Sequence, residues 1–238
     1  MAAQIEAVLR RLKETGNFGC IERLDYTASL SADDLFAEAE AVGEFRKPNF
    51  VIDADLLEVY LNIARWVVGD RSMRCINPET RLWEKADLTK GLYIAGRTGC
   101  GKTWALEIFA FLATAHNIRY KAYGKDFLLD MQSYRADEIT TDFLRQGDTS
   151  LYTDSVKVLV INDLGTEPEE TLYMGNRVNI LRQILEKRAD DPSKLTLITS
   201  NIPMWDKAIA TRYGDRVASR LRQMCNYLEI KGDDKRLR

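Results

Sequence analysis

The eight residues Gly96-Arg97-Thr98-Gly99-Cys100-Gly101-Lys102-Thr103 constrain this chain more than any other feature. They fit the spacing G-x-x-x-x-G-K-[ST] at every fixed position. They follow the apolar run Leu92-Tyr93-Ile94-Ala95 and precede a helical apolar pattern of Trp104, Leu106, Ile108, Phe109 and Leu112. A strand feeding a glycine loop that opens a helix is the context such a motif needs. Glycines let the backbone curl until successive N–H groups point at one anion, and the helix N-terminus adds its positive end. Lys102 is then placed to reach the β- and γ-phosphates, and the Thr103 hydroxyl to coordinate Mg2+. Residues 96–103 therefore predict a nucleoside triphosphate site.

With 238 residues, 45% of them hydrophobic, one α/β domain with a small appendage is expected. The net charge of −2 excludes a strongly basic nucleic-acid coat, though not a local basic stripe. Cys20, Cys75, Cys100 and Cys225 form no C-x-x-C pair, which points to reduced thiols. No leader and no bilayer-spanning apolar run is visible, so a cytoplasmic protein with no membrane contact is expected. Residues 1–85 read as a helical N-terminal region suited to partner binding, and 86–238 as the nucleotide-binding core. In the first part, Ile5, Val8, Leu9 and Leu12 form a helical stripe, and Ser31 caps a helix. A stronger helix runs from about Asp53 to Gly69, and a turn-like stretch to Lys90 links it to the core. From Gly91 onward, strand-like runs at 91–95, 118–122, 157–162, 195–200 and 226–230 alternate with helical ones. The alternation predicts a parallel five-stranded sheet covered by helices on both faces, with ligands at the carboxyl ends of its strands.

Three further groups fall at those ends. The run Val158-Leu159-Val160-Ile161 leads into Asn162-Asp163, where acidic groups can hold Mg2+ and polarise a water. An amide at the first position brings no negative charge. Either Asp163 orients the water while Asn162 supports the metal weakly, or hydrolysis is slow and the protein works as a switch. Glu167 compensates, or is a solvated loop acid before Pro168. Ser200-Asn201, ending the strand at 195–200, caps the next helix or senses the γ-phosphate, and the order of the motifs favours sensing for Asn201. Arg216 and Arg220, four apart, share one helix face. They form a phosphate clamp or a surface face paired with Asp215. His116, the one histidine, is expected to interact with a helix C-terminus, and Cys100 is a target for an alkylation test.

Residues 96–103, the run from Asn162 to Glu167, Thr199-Ser200-Asn201 and the stretch from Tyr213 to Arg220 together resemble the AAA+ ATPases of the DnaC/IstB-like group. These are bacterial helicase loaders and their relatives in phages and transposons, and the resemblance covers roughly residues 50–238. It implies a P-loop NTPase core without a helical lid after the last strand. ATP and Mg2+ are the implied cofactors, with Thr103 and Asp163 at the metal. Asp163 would be the catalytic acid, Asn201 the sensor and Arg216 the arginine finger, with Arg220 its helix-mate. Arg236 falls at a terminal basic position of the family and is read as tail. The implied partners are a hexameric replicative helicase, single-stranded DNA and further copies of the chain in an ATP-dependent oligomer. The alternatives are a transposition helper that assembles on duplex DNA with a transposase, and an ATP-binding switch with negligible hydrolysis. Lys121, Lys125, Arg135 and Arg145 line a central pore or are ordinary solvated positions.

Overall fold

The computed structural model describes residues 2–15 and 21–235. Its centre is a five-stranded sheet of β1 (Gly91–Gly96), β2 (Met131–Arg135), β3 (Val158–Leu164), β4 (Leu195–Ser200) and β5 (Cys225–Ile230). The spatial order is β5-β1-β4-β3-β2, and every neighbouring pair is parallel. Parallel neighbours require crossovers, which the helices supply. The helices are α1 (Ala2–Thr15), α2 (Ala32–Arg46), α3 (Ala54–Val68), α4 (Lys102–Ala115), α5 (Ala136–Gln146), α6 (Ile180–Ala189), α7 (Lys207–Tyr213) and α8 (Asp215–Met224).

Strand side chains alternate between two cores. Leu92, Ile94, Val158, Val160, Leu195 and Leu197 pack with Leu35 of α2, Tyr60, Ile63 and Trp66 of α3, and Leu106 and Phe109 of α4. Tyr93, Ala95, Leu159, Ile161, Ile198 and Tyr227 face the other way, onto Ile139 of α5, Leu181 and Ile184 of α6, Ile209 of α7 and Val217 of α8. Burial on both faces explains the apolar runs 92–95 in β1 and 158–161 in β3. Each fully buried side chain of this kind contributes about 1.5–3 kcal/mol. The helix starts are set locally. Ser31 and Asp34 form a reciprocal capping box on α2, Asp53 caps α3, and Gly69 closes α3 in the left-handed region at φ 76°.

One predicted strand lies elsewhere. Residues 119–122 are outside the parallel sheet, in an antiparallel three-stranded ribbon with 22–23 and 125–128. Tyr123 and Gly124 both take positive φ, which turns the chain straight back into the 125–128 strand. The second strand of the sheet is instead 131–135, an edge strand with most of its residues exposed or half-exposed. The expected link at 77–90 also contains a short ribbon, 74–76 against 83–85. In α1, Ile5, Val8 and Leu9 are more than half exposed, and the side chain of Leu12 lies outside the described residues. Cys75, Cys100 and Cys225 are buried free thiols. Cys20 lies outside the described residues. Among the described residues, no helix is long and apolar enough to cross a membrane.

Candidate functional site

β1 ends at Gly96 and α4 begins at Lys102, so the predicted loop spans the carboxyl edge of the sheet beside β4 and β5. Gly99 and Gly101 hold φ of 77° and 105°, where a side chain would strain the backbone. The curl brings Lys102 back over the loop. Lys102 is 5% exposed, and its Nζ donates to the carbonyls of Gly96 and Arg97 and to Asn201 Oδ1, each at 2.8 Å. The Asn201 amide in turn donates to Thr98 Oγ1 at 3.3 Å. The end of β4 is thus tied to the loop through its lysine. Beside it, Ser200 has a different role: its hydroxyl donates to the Leu164 carbonyl at 2.6 Å and accepts from the Ile202 N–H at 3.0 Å. Neither residue caps the next helix, α7, whose N-cap is Asp206.

A polar row crosses β2, β3 and β4 below the loop. Asn162 Nδ2 donates to Ser133 Oγ at 2.7 Å, and Thr199 Oγ1 donates to Asn162 Oδ1 at 3.2 Å. The same Thr199 oxygen accepts the Asp163 N–H at 3.0 Å. Asn162 and Thr199 are buried, and their hydrogen bonds remove the cost of an unmet polar group there. Asp163 follows in the left-handed region at φ 57°, and the pairing of β3 with β4 shifts register at this point. A short polar side chain tolerates that conformation. The twist leaves the Asp163 carboxylate partly exposed and 3.6 Å from the Arg135 guanidinium. Arg135 also bonds Asp137 through Nε at 3.0 Å. Its pKa is raised, first by the hydrogen bond with Asp137 and further by the charge of Asp163.

Thr103, Ser133, Arg135, Asn162 and Asp163 line one cleft of about 350 Å3. The donor set fits a polyphosphate: a lysine ammonium, the N–H groups of a loop rich in left-handed glycines, and a helix N-terminus. Among the described residues, no cluster of three or more His, Cys, Asp or Glu side chains could hold a metal.

Other predicted residues fall outside the cleft. Glu167 is neither a compensating acid nor a solvated one. It is 4% exposed, accepts from the Gly165 N–H at 2.9 Å and from the Tyr213 hydroxyl at 2.5 Å, and pairs with Arg212 Nε at 3.3 Å. Arg212 also donates to the Glu167 carbonyl. Burial and the adjacent carboxylate both push the Tyr213 hydroxyl up, so it remains a donor. Arg216 is 60% exposed on α8. Its ion-pair partner is Asp190, at 3.7 Å, rather than Asp215. Arg220 shares Asp190 at 2.6 Å. Arg135, expected near a pore, faces the cleft, while Lys121 and Lys125 stand on the 119–128 ribbon. His116 is the C-cap of α4, and its Nε2 lies 2.5 Å from Glu38 Oε2 on α2. The Cys100 thiol is fully buried, and burial raises its pKa against the pull of Lys102. Arg236 lies outside the described residues. Sequence reasoning missed Ser133, Arg212 and the role of Arg135. The first and last become visible only once 131–135 is known to lie beside β3.

No family model and no curated protein matches the chain. Solved structures do. A primosome component from Streptococcus pyogenes serotype M3 superposes with a TM-score of 0.52, at 18% identity over 79% of this chain and 87% of that one. The chain shares the fold of that structure. Two further structures are similar. The DnaC helicase loader matches at a TM-score of 0.47 and 20% identity, over 78% of this chain and 95% of that one. DnaA from Aquifex aeolicus, solved with AMPPCP, matches at 0.46 and 19%, over 79% of this chain and 49% of that one.

Proposed function

We propose that this chain is an ATP-controlled assembly factor of DNA replication that loads a hexameric replicative helicase onto single-stranded DNA. The observation that carries the reading is the contact of Lys102 with Asn201, which joins the phosphate loop to the end of β4 at 2.8 Å. In the AAA+ frame this is the lysine that would meet the β- and γ-phosphates, held by the residue that would sense them. The backbone N–H groups of residues 96–103 would cradle the phosphates. Thr103 and Asp163 would hold Mg2+, which neutralises phosphate charge when bound with the nucleotide. Asp163 would orient the attacking water from its twisted position beside Arg135. Arg216, half exposed and away from this cleft, is free to swing from Asp190 into the nucleotide of a neighbouring copy, so that turnover follows assembly. Residues 1–85 would bind the partner, and 86–238 form the ATPase core of a cytoplasmic protein.

One observation favours a second reading, a nucleotide-binding switch with negligible turnover. Asn162 is committed to Ser133 and Thr199 and supplies no charge for the metal. The test is co-elution with the host's hexameric replicative helicase on a sizing column, with and without ATP. A shared peak is expected. Its absence, with an oligomer forming on duplex DNA and ATP instead, would move the chain to the transposition-helper class. ATP turnover that stays negligible as protein concentration rises, with single-stranded DNA present, would favour the switch.

A further inference from the structure

Residues 232–235, after β5, return to the glycine loop. The Lys235 N–H donates to the Gly99 carbonyl at 3.0 Å. The Asp234 carboxylate lies against Gly99 so closely that a Cβ there would come within 1.9 Å of it. Asp233 pairs with Arg97 at 3.3 Å. On its other side, the segment is clamped to the start of α3. The Lys235 ammonium pairs with the N-cap Asp53 and stands 3.6 Å from Asp55, and Lys47 of the α2–α3 junction donates to the Lys235 carbonyl at 3.4 Å. The Lys235 side chain is only 17% exposed.

We propose that residues 232–235 form a strap that competes with the nucleotide for the phosphate loop and is displaced when the nucleotide binds. The inference rests on the nucleotide reading above. The strap presents two carboxylates to Arg97 and Gly99, inside the loop that would receive a polyanion. Like charges brought close together disfavour one another, so nucleotide and strap would compete for the loop. The clamp carries the consequence further. Lys235 meets Gly99 through its backbone N–H and Asp53 and Asp55 through its ammonium, so one residue links the loop to the start of α3. A ligand shifts such an equilibrium only through its different affinity for the two states, and the opposed charge supplies that difference.

The competition gives a prediction that simple charge does not. Lys235→Met removes a positive charge from beside the loop, which by charge alone would weaken nucleotide binding. Release of the strap strengthens it. Isothermal titration of Mg2+ with AMPPCP into the full chain is expected to show Lys235→Met and Asp233→Asn/Asp234→Asn each binding roughly three- to tenfold tighter than wild type, as when a strap-free minority becomes the main state. Hydrogen exchange at the Lys235 amide should accelerate when the nucleotide is added to wild type. Equal or weaker binding by Lys235→Met, where wild type binds, overturns the strap and leaves the nucleotide site standing. Failure of all three proteins to bind overturns the nucleotide reading and the strap with it.

Discussion

Asn162 is the residue at which the proposed ATPase site departs from the two acidic groups expected there. Its amide is built into a row with Ser133 and Thr199, so the neutral side chain is accommodated rather than merely tolerated. The Ser133 hydroxyl can rotate to donate, and a carboxylate at 162 would therefore also be satisfied. We expect Asn162→Asp to raise Mg2+-dependent ATP turnover by roughly tenfold or more, since a preorganised charge at the metal is worth a few kcal/mol. Phosphate release at saturating ATP would report it, and an unchanged rate would show that charge at this position is not what limits hydrolysis. Cys100 gives the opposite expectation. Its thiol is buried and its pKa raised, so alkylation of the native protein should be slow and nucleotide affinity should survive it. The strand, glycine loop and helix of residues 91–115 were legible in the sequence because they are local, specified by neighbours in the chain. Ser133 and Arg135 were not, because their role depends on strand register.

Among the elements, strands buried on both faces were read correctly and the exposed one was not. β1, β3, β4 and β5 are mostly buried, and each falls within two residues of its predicted span. Met131-Gln132-Ser133-Tyr134-Arg135 lies at the sheet edge, and its composition carries little apolar signal. The segment 119–122 alternates in burial and so imitated a strand of the main sheet. The buried polar braces between elements were equally hidden. Arg188 of α6 is 1% exposed and donates to Thr196 Oγ1 and to the carbonyls of Tyr152, Val156, Lys157 and Leu195. Arg188→Met should cost about 3 kcal/mol in urea unfolding, because it strands several buried acceptors at once. Glu167→Gln weakens the pair with Arg212 that ties the loop after β3 to α7, and about 2 kcal/mol is expected for that charge-assisted contact. After α6, burial would raise the Asp191 carboxyl. The Ser193 hydroxyl and N–H together with Lys194 overcome it and hold the pKa at about 2. A depressed carboxylate stabilises the fold above its unfolded pKa near 4 and loses that contribution as pH falls toward 2. Asp191→Asn should therefore lower stability at neutral pH and flatten the acid limb between pH 4 and pH 2, so that variant and wild type converge as pH falls.

On the whole molecule, charged groups stand at the glycine loop and away from it. Lys102 and Asn201 are joined at the loop, Asp163 lines the neighbouring cleft, residues 232–235 link the loop to α3, and Arg216 stands on α8 with its side chain largely exposed. If Arg216 serves a neighbouring copy, Arg216→Ala should leave nucleotide affinity unchanged and suppress the rise of ATPase rate with protein concentration by at least tenfold. A variant that hydrolyses like wild type at every concentration would return Arg216 to a surface pair with Asp190. All of this depends on the loop gripping a nucleotide through its buried lysine. The direct measurement is isothermal titration of Mg2+ with AMPPCP into wild type and Lys102→Ala. The account predicts binding by wild type and a loss of about a hundredfold in the variant, the worth of about 3 kcal/mol of charge-assisted contact. Equal affinity in the two proteins would contradict it.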